Sequence, residues 1–308
     1  MIKKGLHTRN KHRFPYDFSV LTEALPALKP FVLTNLEGSE SIDFANPNGV
    51  KTLNKALLKA YYKIDNWAIP LGYLCPPIPS RAEYIHQVAD ILSKGIEEFI
   101  PKGKRVKILD IGVGANCIYP IIGHQEYGWQ FVGADVDAIA LKSVENIVAG
   151  NKALHGMIKC RLQPFSKYIF KNIIASNDYF DCTMCNPPFH SSLAEATKGA
   201  ARKVTNLNGA KNEDLTLNFG GQPNELYCEG GEMAFIFTMI QESVLFKSNC
   251  RWFSTLVSKS DYLKKIHQIL HNVNAVEVKT IPIEVGNKVS RIVFWTFLTE
   301  EEQQNWRK

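Results

Sequence analysis

From residue 106 onward the chain alternates between strand-like and helix-like hydrophobic patterning, and few folds accept that rhythm. Residues 106–114 (VKILDIGVG) read as a buried strand that runs into a glycine turn, and residues 130–137 (QFVGADVD) as a second strand. Helical periodicity follows each. A third strand is expected at 158–162, and a fourth within 179–189 (YFDCTMCNPPF), where two prolines stop it. Runs of Val, Ile and Leu suit strands covered on both faces, and their alternation with helices calls for an α/β fold with a mostly parallel sheet between two helical layers. A helix at 232–246, a strand at 251–257, a helix at 261–270 and a hairpin of strands at 275–281 and 291–298 around Gly286 and Asn287 bring the expected sheet to seven strands.

Ahead of this pattern the sequence reads differently. Residues 14–80 are broken by eight prolines and contain one clear helix, at 51–63, with Leu53, Ala56, Leu57 and Ala60 on one face and Lys51, Lys55, Lys59 and Lys63 on another. Ser80, with Glu83 three residues on, has the form of a capping box, and Tyr84, Ile85, Val88, Ile91 and Leu92 give the helix that follows an apolar face to about residue 100. The expected organisation is a small, mostly helical and basic module at 1–80 followed by the α/β domain at 81–308. Residues 1–13 carry Lys3, Lys4, Arg9, Lys11 and Arg13 and no acid, so they read as a cationic arm, either solvated or set against phosphates.

With 45% hydrophobic and 21% charged residues in 308, the composition excludes a disordered chain, a collagen and a coiled-coil rod. No apolar run approaches the ~20 residues of a membrane span, so no membrane partner is expected. Seven scattered cysteines and a start without a leader-like apolar segment point to reduced thiols and a cytoplasmic location. The net charge of +6 matters only where it is concentrated. Besides the N-terminus, that is the stretch 198–224, poor in large apolar residues and carrying Lys198, Arg202, Lys203 and Lys211; a loop this long is expected to be mobile or functional. Nothing in the sequence determines the oligomeric state, and a monomer is the default.

Two motifs carry chemistry. Asp110-Ile-Gly112-Val-Gly114 lets the backbone pass under a ligand at the carboxyl end of the sheet. A dinucleotide fold would place a third glycine at 117; Cys117 stands there, which disfavours a pyrophosphate. Asp135, 23 residues after Gly112, is placed to accept from both hydroxyls of a ribose, so the turn reads as a nucleoside site. The second motif, Asn186-Pro187-Pro188-Phe189, closes the fourth strand beside that turn. Prolines donate no backbone hydrogen bond and hold φ, which leaves the Asn186 side-chain oxygen and the Pro187 carbonyl as acceptors in a rigid pose, with Phe189 able to stack on a ring. A planar NH₂ offers two donors to such a pair. Gripped there, its lone pair is freed as the nitrogen pyramidalises, which suits attack on an electrophilic methyl group without a strong base.

These residues resemble the class I S-adenosylmethionine-dependent methyltransferases of Rossmann-like fold that act on exocyclic or amide nitrogens. The nearer resemblance is to the RlmF-type ribosomal RNA adenine-N6 methyltransferases and their METTL-type relatives. It is carried by His7, Arg9 and Asn10, by IPSRAEYIH at 78–86, GVGANCIYPIIG at 112–123, CNPPF at 185–189, EGGE at 229–232 and RWFSTLVSK at 251–259. It implies S-adenosylmethionine as methyl donor and N6 of one adenine in large-subunit ribosomal RNA, free or in an assembly particle, as acceptor. It also implies cofactor contacts from Arg81 (to the methionine carboxylate), Asp110, Gly112, Gly114, Asn116 and Asp135. Asn186, Pro187, Pro188 and Phe189 would grip the adenine, and Lys3, Lys4, Arg9, Lys11, Arg13, Arg202 and Lys203 would hold RNA. A protein glutamine amide offers the same two donors, so an amide methyltransferase stays open, as does an RNA-binding protein with a relic pocket. Cys182 and Cys185 make a CxxC whose spacing on a strand puts the thiols on opposite faces, so no metal is expected.

Overall fold

The computed structural model describes residues 5–35, 38–94, 97–192, 221–285 and 288–306. Residues 5–13 are not an extended arm. They fold back on themselves around a short 3₁₀ turn at Lys11–Arg13, with Asn10 and His12 fully buried. Helix α1 (Phe18–Ala24) follows, capped by Asp17, then a small antiparallel pair, β1 (Val32–Thr34) and β2 (Glu40–Ile42). Helix α2 (Pro47–Tyr62) begins at the side chain of Asn46, which accepts from the N–H groups of Asn48 and Gly49, and ends where Lys63 turns left-handed. Its lysine stripe is partly committed: Lys51 donates to the carbonyl of Ile69 at 2.8 Å, and Lys59 lies 3.7 Å from Asp65.

Helix α3 (Ile78–Leu92) starts three residues earlier than the capping-box reading and ends well short of residue 100. Pro77 is its N-cap and makes no side-chain capping bond. The Ser80 hydroxyl donates to the Pro77 carbonyl, and Glu83 is buried and turned toward the N-terminal segment instead of back to Ser80. A local cap signal has lost to a tertiary partner.

The sheet then assembles as expected. Strand β3 (Lys107–Ile111) leads into α4 (Ile118–Tyr127), β4 (Gln130–Asp135) into α5 (Ala138–Ala149), and β5 (Ile158–Leu162), β6 (Phe180–Cys185) and β7 (Cys250–Val257) complete five strands paired in parallel. Helix α6 (Pro223–Leu226) is a single turn, α7 (Gly231–Ser243) precedes β7, and α8 (Leu263–Asn272) follows it. Strands β8 (Glu277–Val285) and β9 (Lys288–Thr296) form the antiparallel hairpin, before a final turn α9 (Glu300–Gln304). The order is β5-β4-β3-β6-β7-β9-β8, the mostly parallel, seven-stranded Rossmann-like sheet that the sequence resemblance implies.

Alternation along each strand splits the core into two layers. Ile108, Cys182, Met184, Trp252 and Phe294 pack beneath α2, α3, α4 and α5, while Leu109, Ile111, Cys185, Phe253 and Trp295 pack against α7 and α8. Cys182 and Cys185 thus face opposite layers. Leu21, Leu53 and Leu57 belong to the same apolar cluster as Ile85, Ile121 and Phe131, so the N-terminal segment shares its core with the sheet. Among the described residues no helix is long and apolar enough to cross a membrane.

The segment between β5 and β6 is irregular, and one side chain gathers three of its backbone donors. Buried Glu242 of α7 accepts from the backbone N–H groups of Ile169, Phe170 and Lys171 at 3.1, 2.8 and 3.0 Å. Replacing it by alanine leaves three such donors without their acceptor, each worth about 1–3 kcal/mol when unsatisfied in the interior. We expect Glu242→Ala to lower unfolding free energy by on the order of 3 kcal/mol in urea titration, and Glu242→Gln, which keeps one accepting oxygen, by less.

Candidate active site

The parallel register of β3 and β6 sets the site. Ile111 pairs with Cys185, so Gly112 and Asn186 leave the two strand ends side by side. Gly112 and Gly114 take φ of +72° and +63°, where side chains are rarely tolerated, and a Cβ on Gly112 would project into open space. Cys117 has φ +55° at the head of α4: the left-handed turn is kept without the third glycine. A cavity of about 650 Å³ opens above this turn, lined by Arg81, Gly112, Gly114, Asn116, Asp135 and Asn186 among others.

Each expected cofactor residue has a definite place. Asp135 accepts from the Gly114 N–H at 2.9 Å through one carboxylate oxygen and from the Asp137 N–H at 3.0 Å through the other, and each oxygen keeps acceptor capacity for a hydroxyl. Burial raises its pKa against the pull of those donors. Asn116 lines the cavity, and its side-chain oxygen accepts from the Ile118 N–H at 3.1 Å, capping α4. Arg81, in the first turns of α3, lines the cavity with its guanidinium 5.6 Å from the ring centre of Tyr119. Asp110 is fully buried on β3, and among the described residues both its carboxyl oxygens lack a hydrogen-bond partner. Burial, reinforced by the charge of Asp135 and opposed by Arg81, holds its pKa well above the ordinary carboxylate value.

Of the four residues expected to grip a substrate amine, Asn186 and Pro188 line the cavity; Pro187 is buried, and Phe189 stands outside the lining. Among the described residues the Asn186 side-chain oxygen is buried without a hydrogen-bond partner, an acceptor held empty. Backing it, the Cys185 N–H donates at 3.4 Å to the hydroxyl of Tyr84, itself fully buried on α3 and 2.9 Å from Ser254 Oγ. Beyond Phe189, His190 forms a parallel bridge with Tyr227, and the Cys228 N–H donates to the His190 carbonyl at 3.1 Å. The chain that leaves the Asn-Pro-Pro-Phe turn is therefore tied to residues 226–228.

Several lining residues carry no sequence signal. Glu225 accepts from the N–H groups of Leu74 and Gln222 at 3.0 and 2.8 Å, joining the post-α2 loop to α6 over the cavity mouth, and burial raises its pKa. The Tyr73 hydroxyl donates to Asp137 at 2.6 Å. Ser166, Lys167 and Tyr168 line the opposite side. Among the residues expected to hold RNA, Arg9 is ion-paired with Asp90 and Lys11 lies 2.8 Å from Glu126, so both are engaged with acids of the protein itself. The Arg13 guanidinium donates to the Thr8 carbonyl at 3.2 Å. Lys3, Lys4, Arg202 and Lys203 lie outside the described residues.

The buried acid gives a pH signature. An Asp110 pKa raised above the unfolded value of about 3.9 means stability is lost as pH rises from there toward the folded pKa, because only the unfolded chain ionises freely. Asp110→Asn removes that loss. We expect the variant to melt above the wild type at pH 7, with the gap closing as pH falls toward 4, in thermal unfolding of the ligand-free protein.

The comparisons with known proteins agree with this geometry. A family model described as RNA methyltransferase matches residues 1–299. A Ribosomal RNA large subunit methyltransferase F of Photobacterium profundum is 54% identical over 99% of this chain and 95% of its own length. One from Cytophaga hutchinsonii is 52% identical over 99% and 94%. The catalytic domain of hMettl16, solved in complex with MAT2A 3′UTR hairpin 1, superposes with a TM-score of 0.80 at 29% identity, covering 96% of this chain and 97% of that one. The N-terminal domain of human METTL16 in complex with SAH gives 0.74 at 27% identity, covering 96% and 100%. With a family match over nearly its whole length, and relatives above half identity, the chain belongs to the RNA methyltransferase family.

Proposed function

We propose that this chain transfers the methyl group of S-adenosylmethionine to N6 of an adenine in large-subunit ribosomal RNA. The observation that carries the reading is the empty, buried Asn186 oxygen at the strand end next to Gly112. An acceptor with no partner among the described residues, at the edge of a glycine-floored nucleoside cleft, is made for a donor that arrives with a ligand. RNA as substrate is supported by the family, and large-subunit ribosomal RNA by the names of relatives at 52% and 54% identity.

The cleft fits the cofactor. Gly112 and Gly114 leave backbone-only floor beneath a nucleoside, Asp135 offers two acceptors to ribose hydroxyls, and Arg81 offers a guanidinium fork to a carboxylate. Asp110, held toward its neutral form by burial, is placed where a cationic ligand would favour its carboxylate. S-adenosylmethionine, when bound, supplies an electrophilic methyl group on a sulfonium.

The remaining work belongs to Asn186 and its neighbours. The Asn186 side-chain oxygen accepts one amine hydrogen and the Pro187 carbonyl the other, which orients the nitrogen lone pair and stabilises positive charge as it develops there. Pro187 and Pro188 hold that pair in place by fixed φ. Phe189, beside the cleft, is assigned to stacking on the adenine once the nucleotide is extruded, since a base within a paired stem cannot reach the cleft.

Asn186→Ala removes one acceptor without touching the glycine turn. We expect methyl transfer to ribosomal RNA to fall by ~100-fold or more in a radiolabelled-methyl assay, with SAH affinity by calorimetry within about twofold of wild type. Transfer at the wild-type rate would rule the reading out.

A further inference from the structure

Helix α3 begins badly. Its N-cap is Pro77, which makes no side-chain capping bond. A first turn of this kind frays unless something else holds it, and Arg81 sits at its end, lining the cleft. What holds it is the N-terminal segment. The His7 backbone N–H donates to Glu83 Oε2 at 2.8 Å, and Asn10 Nδ2 donates to the same oxygen and to the Pro79 carbonyl, both at 3.1 Å. Two turns on, His7 Nε2 lies 2.9 Å from Asp90, and Arg9 bonds Asp90, the His86 carbonyl at 3.3 Å and the Tyr127 hydroxyl at 3.1 Å.

The gripped residues, Pro79, Glu83, His86 and Asp90, recur at intervals of four, three and four, which is one face of the helix. Arg81 and Tyr84 lie on another face, toward the cleft and the end of β6. Asn10, Glu83 and His86 are buried at 0, 2 and 1% exposure, and the His86 imidazole, desolvated and beside His7 and Arg9, has its pKa pulled down to about 3. Such a face has been withdrawn from solvent and from any polyanion. The two cations best defined in the expected RNA arm, Arg9 and Lys11, are spent on Asp90 and Glu126.

We infer that His7, Arg9 and Asn10 are positioning residues: they pin one face of α3 from its first turn to Asp90 and so set Arg81 for the carboxylate of the cofactor, instead of contacting RNA. The inference rests on the cofactor assignment above only for the partner of Arg81.

The test uses the full chain and four proteins: wild type, Asn10→Ala, Arg81→Ala and the double variant. Near-ultraviolet circular dichroism checks folding, calorimetry measures SAH, and filter binding measures large-subunit ribosomal RNA. We expect Asn10→Ala to weaken SAH about tenfold, with kcat at saturating S-adenosylmethionine and RNA affinity each within about twofold of wild type. The double variant should bind SAH no more weakly than Arg81→Ala, because the loss passes through that arginine. Wild-type SAH affinity in Asn10→Ala overturns the inference whatever RNA binding does, and so do fully additive losses. Should Asn10→Ala not fold, Glu83→Gln is measured in the same way, with the same outcomes. A wild-type chain that does not bind SAH removes the cofactor reading itself, a result separate from either of these.

Discussion

The pairing of β3 with β6 is the constraint from which the site follows. Parallel register places Ile111 against Cys185, and the next residue on each strand, Gly112 and Asn186, departs the sheet at the same level. A slip of one residue would turn Asn186 and Gly112 to the wrong faces. The register is held by side chains with no role in chemistry: Leu109 in one layer, Ile108 and Cys182 in the other. Neither layer can shift without exposing or overpacking fully buried residues. The acceptor geometry is thus inherited from a close-packed core, not from a loop that must find its shape.

The central strands are legible in the sequence because burial on both faces leaves a continuous apolar signature, and VKILD and FVGAD carry it. The hairpin is legible at its turn but not at its ends. Pro282 suggests a break, yet β8 runs through it from Glu277 to Val285, since an edge strand has one free side on which a missing N–H costs nothing. The start of α3 misleads for the opposite reason. Ser80 and Glu83 satisfy a local rule, but Glu83 is taken by Asn10 and the backbone of His7, more than 70 positions away in the chain. No local window contains that information.

The same division runs through the cleft. Gly112, Asp135 and Asn186 announce themselves because special backbone or an orphan acceptor is needed at a strand end, where sequence and place coincide. Glu225 and Tyr168 do not, because they reach the cleft through the tertiary packing of the segments that carry them. The basic residues near the N-terminus show how charge misleads: counted along the sequence they form a cationic arm, but in the fold Arg9 and Lys11 are neutralised by Asp90 and Glu126.

Helix α3 touches both ends of the cleft, through Arg81 at the lining and through the Tyr84 hydroxyl behind Cys185. A rigid rod in contact with two binding regions makes them one thermodynamic unit. Any displacement of the rod favoured by one ligand is felt by the other, and reciprocity then demands that each change the affinity of its companion by an equal factor. Order of addition would alter the route to the ternary complex but not the strength of that coupling.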